Sequence, residues 1–257
     1  MQTNEHHRAD MIKLQKCKSK AEQQQKELEI GCRYSVLLKL PYFDPVRMLL
    51  IDPMHNLFLG TAKYVVRSIW IGKDLLSTSD LDVIYRRVKR MKLHMDIGRL
   101  PARLDSGTTF TAEQWMNWTI YYSVFCLRGL LSDQHMECWR HFVLACRRLC
   151  KRDLSSDDVK IADGLLMQFC KRVSRLYGMS TPNMHLHAHL ASCINDFGPC
   201  HAFWLFSFER YNGILGNQPT NNRSIEIQLM ARFLKDYMHL DLLQVDSSSI
   251  PLVEGFF

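Results

Sequence analysis

Three histidines in the run His185-Leu-His187-Ala-His189 have the most specific chemical spacing in the chain. Residues four apart share a helix face, so His185 and His189 present two imidazoles one turn apart, while His187 points elsewhere. Rigid nitrogen donors arranged in this way suit a transition metal, and zinc is the first choice, bound through nitrogen at about 2.0–2.1 Å. No glutamate stands at 186 or 188, so this is not the zinc-protease pattern. A second pair, Asp52 and His55, stands three residues apart where another helix is expected to begin. Its oxygen and nitrogen would complete a four-ligand site with the histidine pair. The plainer alternatives are that Asp52 only caps its helix and that the histidines are hydrogen-bonded core or surface residues.

Glu209 lies between aromatic residues in Phe206-Ser-Phe-Glu-Arg-Tyr-Asn-Gly213. A carboxylate so placed needs a basic side chain or a metal ion as its partner, the simplest case being a salt bridge at a core edge. Three basic clusters stand out: Arg86, Arg87, Lys89, Arg90 and Lys92; Arg147, Arg148, Lys151 and Arg152; and Lys171, Arg172 and Arg175. They could neutralise DNA phosphates without reading base sequence, or they could form solvated helix faces. The net charge of +7, from 33 Lys and Arg against 26 Asp and Glu, suits a partner with a phosphate backbone.

A chain of 257 residues with 47% hydrophobic content can fill a real core. It contains no uncharged apolar stretch of about 18 residues, and its polar first thirty residues do not form a secretory signal, so a soluble, intracellular protein with no membrane partner is expected. The nine cysteines are odd in number and include no Cys-x-x-Cys pair, which favours reduced thiols over a disulfide framework.

The pattern predicts a mainly α fold with at most one or two short strands near residues 34–51. Residues 1–30 read as a polar lead-in ended by Gly31, and Val46–Ile51 as a short buried strand. Asp52-Pro53 starts a helix running to about Trp70. A second helix begins near Ser79, with Ile84, Val88, Met91 and Met95 as its apolar stripe. After a loop over 99–110, Thr111 caps a helix through Leu131, and Ser132 caps one to about Lys151. Further helices are expected over 156–177, stopped by Gly178, over 182–194, over 201–215 and over 224–239, with an irregular tail over 241–257.

Four blocks, Leu40-Pro-Tyr-Phe-Asp44, Ile51-Asp-Pro-Met-His-Asn-Leu57, Pro182-Asn-Met-His-Leu-His-Ala-His-Leu190 and Phe206-Ser-Phe-Glu-Arg-Tyr-Asn-Gly213, together resemble the CACTA-type (En/Spm-like) DNA transposases in order and spacing. The resemblance covers about residues 31–240. It implies a helical insertion region of an RNase H-like core in which two Asp and one Glu hold divalent ions, Mg²⁺ or Mn²⁺, for cutting and joining DNA. Glu209 matches the catalytic glutamate. Asp52 and His55 match the family's Asp-x-x-His motif, and His185 and His189 its paired histidines, a set that by analogy with related recombinases would hold a structural Zn²⁺. A rival assignment makes Asp52 the second catalytic acid.

The family's two aspartates should precede the Asp-x-x-His motif, yet residues 1–51 hold only Asp10 and Asp44, neither in a strand-borne acidic motif. The isolated chain is therefore expected to be a fragment inactive in strand transfer, since two-metal chemistry needs several carboxylates. The resemblance further implies DNA as partner through transposon ends, a homo-oligomer, nuclear residence and no small-molecule substrate. Two other readings are a non-catalytic DNA-binding or protein-interaction module and, more remotely, a zinc hydrolase.

Overall fold

The computed structural model describes residues 3–91, 103–105, 110–221 and 223–247. Among them the chain is helical, without a strand. It divides into two compact units, Met1–Leu205 and Phe206–Phe257. No described helix is long and apolar enough to cross a membrane.

The first unit begins with α1 (Asn4–Gln15) and α2 (Lys20–Ile30), capped by Thr3 and Ser19. Gly31 ends α2 with φ of 76°, a left-handed conformation that costs a residue without Cβ little. The polar lead-in is thus two helices, and Met11 and Leu14 of α1 close over Leu38 in a small core of their own. The strand expected over 46–51 does not form. Residues 36–39 make one 3₁₀ turn, and the Asp44 carboxylate accepts the Val46 N–H at 2.9 Å, turning the chain instead. Arg8 fixes this segment by donating to the carbonyls of Leu38, Leu40 and Phe43. A strand needs a neighbour to complete its ladder, and the described residues provide none.

Helix α3 (53–71) matches the expected span but is widely wound over Met54–Ala62 and Val65–Ile71, with the Gly72 N–H reaching back five residues to the Arg67 carbonyl. Helix α4 (Thr78–Arg90) is closed by a Ser77–Asp80 capping box and buries Leu81, Ile84 and Val88. Met95 and Lys92 lie outside the described residues. Thr111 and Gln114 form a second capping box for α5 (112–126), which stops five residues short of expectation. Arg87 donates to the carbonyls of Cys126 and Arg128 at 2.8 and 2.7 Å, and Gly129 turns the chain away with φ of 75°.

Helices α6 (Asp133–Leu149), α7 (Ser156–Tyr177) and α8 (Pro182–Phe197) supply the rest of the core. Arg172 pairs with Glu137 near one end of the α6–α7 pair, and Arg148 and Lys151 pair with Asp158 near the other, an antiparallel arrangement. Four of the five tryptophans are buried: Trp70, Trp115, Trp118 and Trp139. Ring contacts run from Trp70 on α3 to Trp139 and Phe142 on α6, to Phe169 on α7 and to His187 on α8, with neighbouring centroids 4.8–6.1 Å apart. Edge-on and tilted aromatic pairs of this kind add about 0.5–1.5 kcal/mol beyond their area burial.

The helix expected over 201–215 is broken. Residues Cys200–Phe203 form a single turn, α9, and Trp204 is extended with ψ of 154°. The Leu205 N–H donates to Asp52 Oδ1 at 3.0 Å instead of continuing the helix. The second unit holds α10 (Phe206–Gly216) and α11 (Ile225–Ser247), the latter running past the expected end at 239.

Helix α8 comes close to α3 at Gly60, where an added Cβ would lie 2.3 Å from Asn183 Nδ2 and 2.7 Å from the His55 carbonyl oxygen. Gly60→Ala is expected to destabilise the protein by about 1–3 kcal/mol through overpacking, read as a lower urea midpoint at unchanged slope. Adding Asn183→Ala should restore only part of the loss, because the backbone contact remains.

Candidate functional site

Asp52 acts as a helix cap. Its Oδ1 accepts the N–H groups of Met54 at 3.1 Å and Leu205 at 3.0 Å, while Oδ2 accepts the His55 N–H at 3.0 Å. The same Oδ2 lies 2.5 Å from His55 Nδ1. Both carboxylate oxygens are thus engaged, and the side chain is 9% exposed against 46% for His55. One aspartate therefore satisfies the start of α3 and fastens the end of the first unit to it.

His185 and His189 stack as expected on α8, with ring centroids 5.3 Å apart and edge-on. His185 is exposed and His189 half-buried. Helix α8 begins on a Thr181 hydroxyl that accepts the Met184 N–H, with Pro182 in its first turn. It is seated on α3 by the Asn56 amide donating to the Asn183 carbonyl at 2.9 Å. The two expected ligand pairs thus lie on helices in direct contact. Among the described residues, however, no three His, Cys, Asp or Glu side chains gather around a point that could hold a metal ion.

His187, between them in sequence, is fully buried. Its Nε2 is 3.1 Å from Thr61 Oγ1 on α3, its Nδ1 3.5 Å from Cys170 Sγ on α7, and its ring lies among Phe142 and Phe169. Burial pushes this imidazole down to about 3, so it is neutral throughout the physiological range. The sequence signal for this role is the apolar series Met184, His187, Leu190 and Ile194 at spacings of three, three and four, which puts His187 on the inner face.

The cysteines are free thiols. Burial raises Cys126, Cys138 and Cys200 to about 12 and Cys170 to about 11, and it raises Cys146 and Cys150 as well. These groups remain protonated and behave as small apolar side chains.

Much of the basic charge is engaged in holding the fold. Arg147 donates to the Ile120 carbonyl, Arg148 and Lys151 to Asp158, and Arg172 to Glu137. Those partners, with Ser155, hold Asp158 well below the usual carboxylate range. In the first cluster Arg87 closes the end of α5, while Arg86, Lys89 and Arg90 are exposed on α4. Lys89 lies 4.5 Å from the centroid of the Tyr85 ring. Glu209, in the second unit, is exposed in the first turn of α10, and its neighbours Phe208 and Tyr211 are exposed too.

Comparison of the chain with protein-family models, with curated proteins and with solved structures returns no match.

The buried histidine gives stability an acid dependence. Above about pH 6.5 neither folded nor unfolded chain protonates this imidazole. As pH falls from 6.5 toward 3 only the unfolded chain takes the proton, so stability falls by up to about 1.4 kcal/mol per pH unit. His187→Gln should flatten the urea-unfolding free energy between pH 6.5 and about 5, above the range where the stability contributed by carboxylates such as Asp158 is lost. An unchanged slope would show that His187 is not buried as a neutral group.

Proposed function

We propose that this chain is a fragment of a DDE-type DNA transposase of the CACTA kind, forming the helical insertion region of an RNase H-like core and the helix bearing its catalytic glutamate, Glu209. Its partner is DNA, contacted through phosphates by Arg86, Lys89 and Arg90, with Arg87 and Lys92 in the same run, and its place is the nucleus. One observation supports the reading above the others: Asp52-x-x-His55 and His185-x-x-x-His189, remote in sequence, lie on helices bonded directly to each other through Asn56 and Asn183.

Zn²⁺ is the ion that the nitrogen donors suit, in a structural role. As arranged, the four residues do not fit one coordination sphere, since Asp52 has both oxygens bonded within the protein and no three donors converge. Zinc at this place requires His55 to leave Asp52 and the two pairs to close together. One equivalent of zinc per chain, lost in His185→Ala/His189→Ala and measured by metal analysis after dialysis, is the expected result. Retention of zinc by that variant would remove these histidines from the site.

The engagement of Asp52 as a cap also favours a second reading, a non-catalytic DNA-binding module, because it leaves Glu209 as the one assigned acid and two-metal chemistry needs several. Both readings predict salt-sensitive DNA binding, with Arg86→Gln/Lys89→Gln/Arg90→Gln lowering the slope of log K against log salt by about 2–3. Absence of binding at low salt, or an unchanged slope, would count against both. With Mg²⁺ or Mn²⁺ the isolated chain is expected to leave DNA uncut; nicking abolished by Glu209→Gln would overturn the missing-acid argument.

A further inference from the structure

Two aromatic residues of α5 stay at the surface while the helix buries its others. Tyr121 is 42% exposed and Phe125 55%, whereas Trp115, Trp118 and Tyr122 are buried. Four residues apart, the two rings share one helix face, about 6 Å from each other along the axis. A single apolar side chain at a surface needs no explanation. Two rings one turn apart make a small platform, and the charge around them is of one sign.

Helix α6 borders this face. Its Trp139 indole N–H donates to the Ser123 hydroxyl at 2.8 Å, and Arg147 Nε donates to the Ile120 carbonyl at 2.8 Å. The two helices therefore run antiparallel here, with Arg147 beside the Tyr121 end of the platform and Arg140 toward the Phe125 end. Arg140, Leu144 and Arg147, at spacings of four and three, form an exposed stripe along α6. Arg128, two residues past the end of α5, is exposed as well. The sequence holds no Asp or Glu between Glu113 and Asp133, nor between Glu137 and Asp153. Glu137 itself is turned to Arg172 of α7. Neither α5 nor α6 thus supplies a carboxylate along this stretch to balance its arginines.

We propose that the α5–α6 face binds a single-stranded stretch of DNA, with unpaired bases stacked on Tyr121 and Phe125 and phosphates paired with Arg128, Arg140 and Arg147. A row of phosphates is the partner that a carboxylate-free arginine surface complements. An exposed ring offers a flat π-face, which an unpaired base can cover and which the stacked interior of a duplex does not need. The proposal rests on the reading of DNA as partner but not on the α4 contacts, which address phosphates whether or not the strands are paired.

Fluorescence anisotropy of the full chain tests this, with a labelled oligothymidine strand and a duplex of the same length as probes. Tyr121→Ala/Phe125→Ala should weaken binding of the strand about tenfold or more and leave duplex binding within about twofold. Tyr121→Phe, which keeps the ring, should keep the affinity for the strand. Arg128→Gln/Arg140→Gln should lower the slope of log K against log salt for the strand by about 1.4. Should the alanine variant fail to fold, the Phe125 ring resonances of the wild-type chain must shift on titration with the strand. No strand binding at low salt, equal affinity in the alanine variant, a loss shared equally by the duplex, or unmoved ring resonances would each overturn the proposal. Tighter binding of oligouridine than of oligothymidine would overturn it too, by moving the face to RNA. Strand binding that needs Tyr121 and Phe125, seen without duplex binding, would support this face and count against the α4 contacts alone.

Discussion

The run of aromatic rings from Trp70 through Trp139, Phe142 and Phe169 to His187 joins α3, α6, α7 and α8, and the placing of the candidate site residues on α3 and α8 follows from it. Large rings bury the most area per residue and pack in few orientations, so they fix helix separation and rotation together. Because α3 and α8 both contribute to this run, their outer faces are fixed as well. Asp52 and His55 at the start of α3, and His185 and His189 on the outer side of α8, take their positions from contacts made on the opposite faces of the same helices.

That core constrains the polar chemistry in the first unit. A histidine surrounded by Phe142 and Phe169 is held neutral, and the thiols lining the helices are held protonated, so neither is a ready ligand or nucleophile. Asp52 and Asp158 hold junctions instead, the first tying Leu205 to α3 and the second drawing Arg148 and Lys151 onto the start of α7. Charge that reads as free in the sequence is partly internal. Exposed basic side chains remain at Arg86, Lys89 and Arg90 on α4 and at Arg152, Lys171 and Arg175, while Arg87, Arg147, Arg148, Lys151 and Arg172 are engaged within the protein.

Much of the helical framework is legible before any contact is known. The cap at Thr111, the stop at Gly178 and the start at Pro182 depend on residues within one turn of each other, and these helices begin or end close to where those signals stand. The candidate site is legible to the same local depth: Asp52 with His55, and His185 with His189, are neighbours because a helix makes them so. The failures share a non-local cause. Residues 46–51 carry an apolar pattern suited to a strand but have no strand beside them among the described residues, and the helix expected over 201–215 breaks where Asp52, far away in sequence, takes the Leu205 amide.

The sequence by itself determined that the chain is helical, where most helices are capped and which residues share a turn, since these depend on covalent geometry and on hydrogen bonds only a few residues long. Tertiary structure decided that His187 enters the core while its neighbours at 185 and 189 do not, that Asp52 fastens two distant segments, and that Tyr121 and Phe125 stay exposed on a helix whose other aromatic residues are buried. Those outcomes depend on which helix faces meet. Meeting is set by the close packing of aromatic side chains from elements remote in sequence, and no local spacing encodes that.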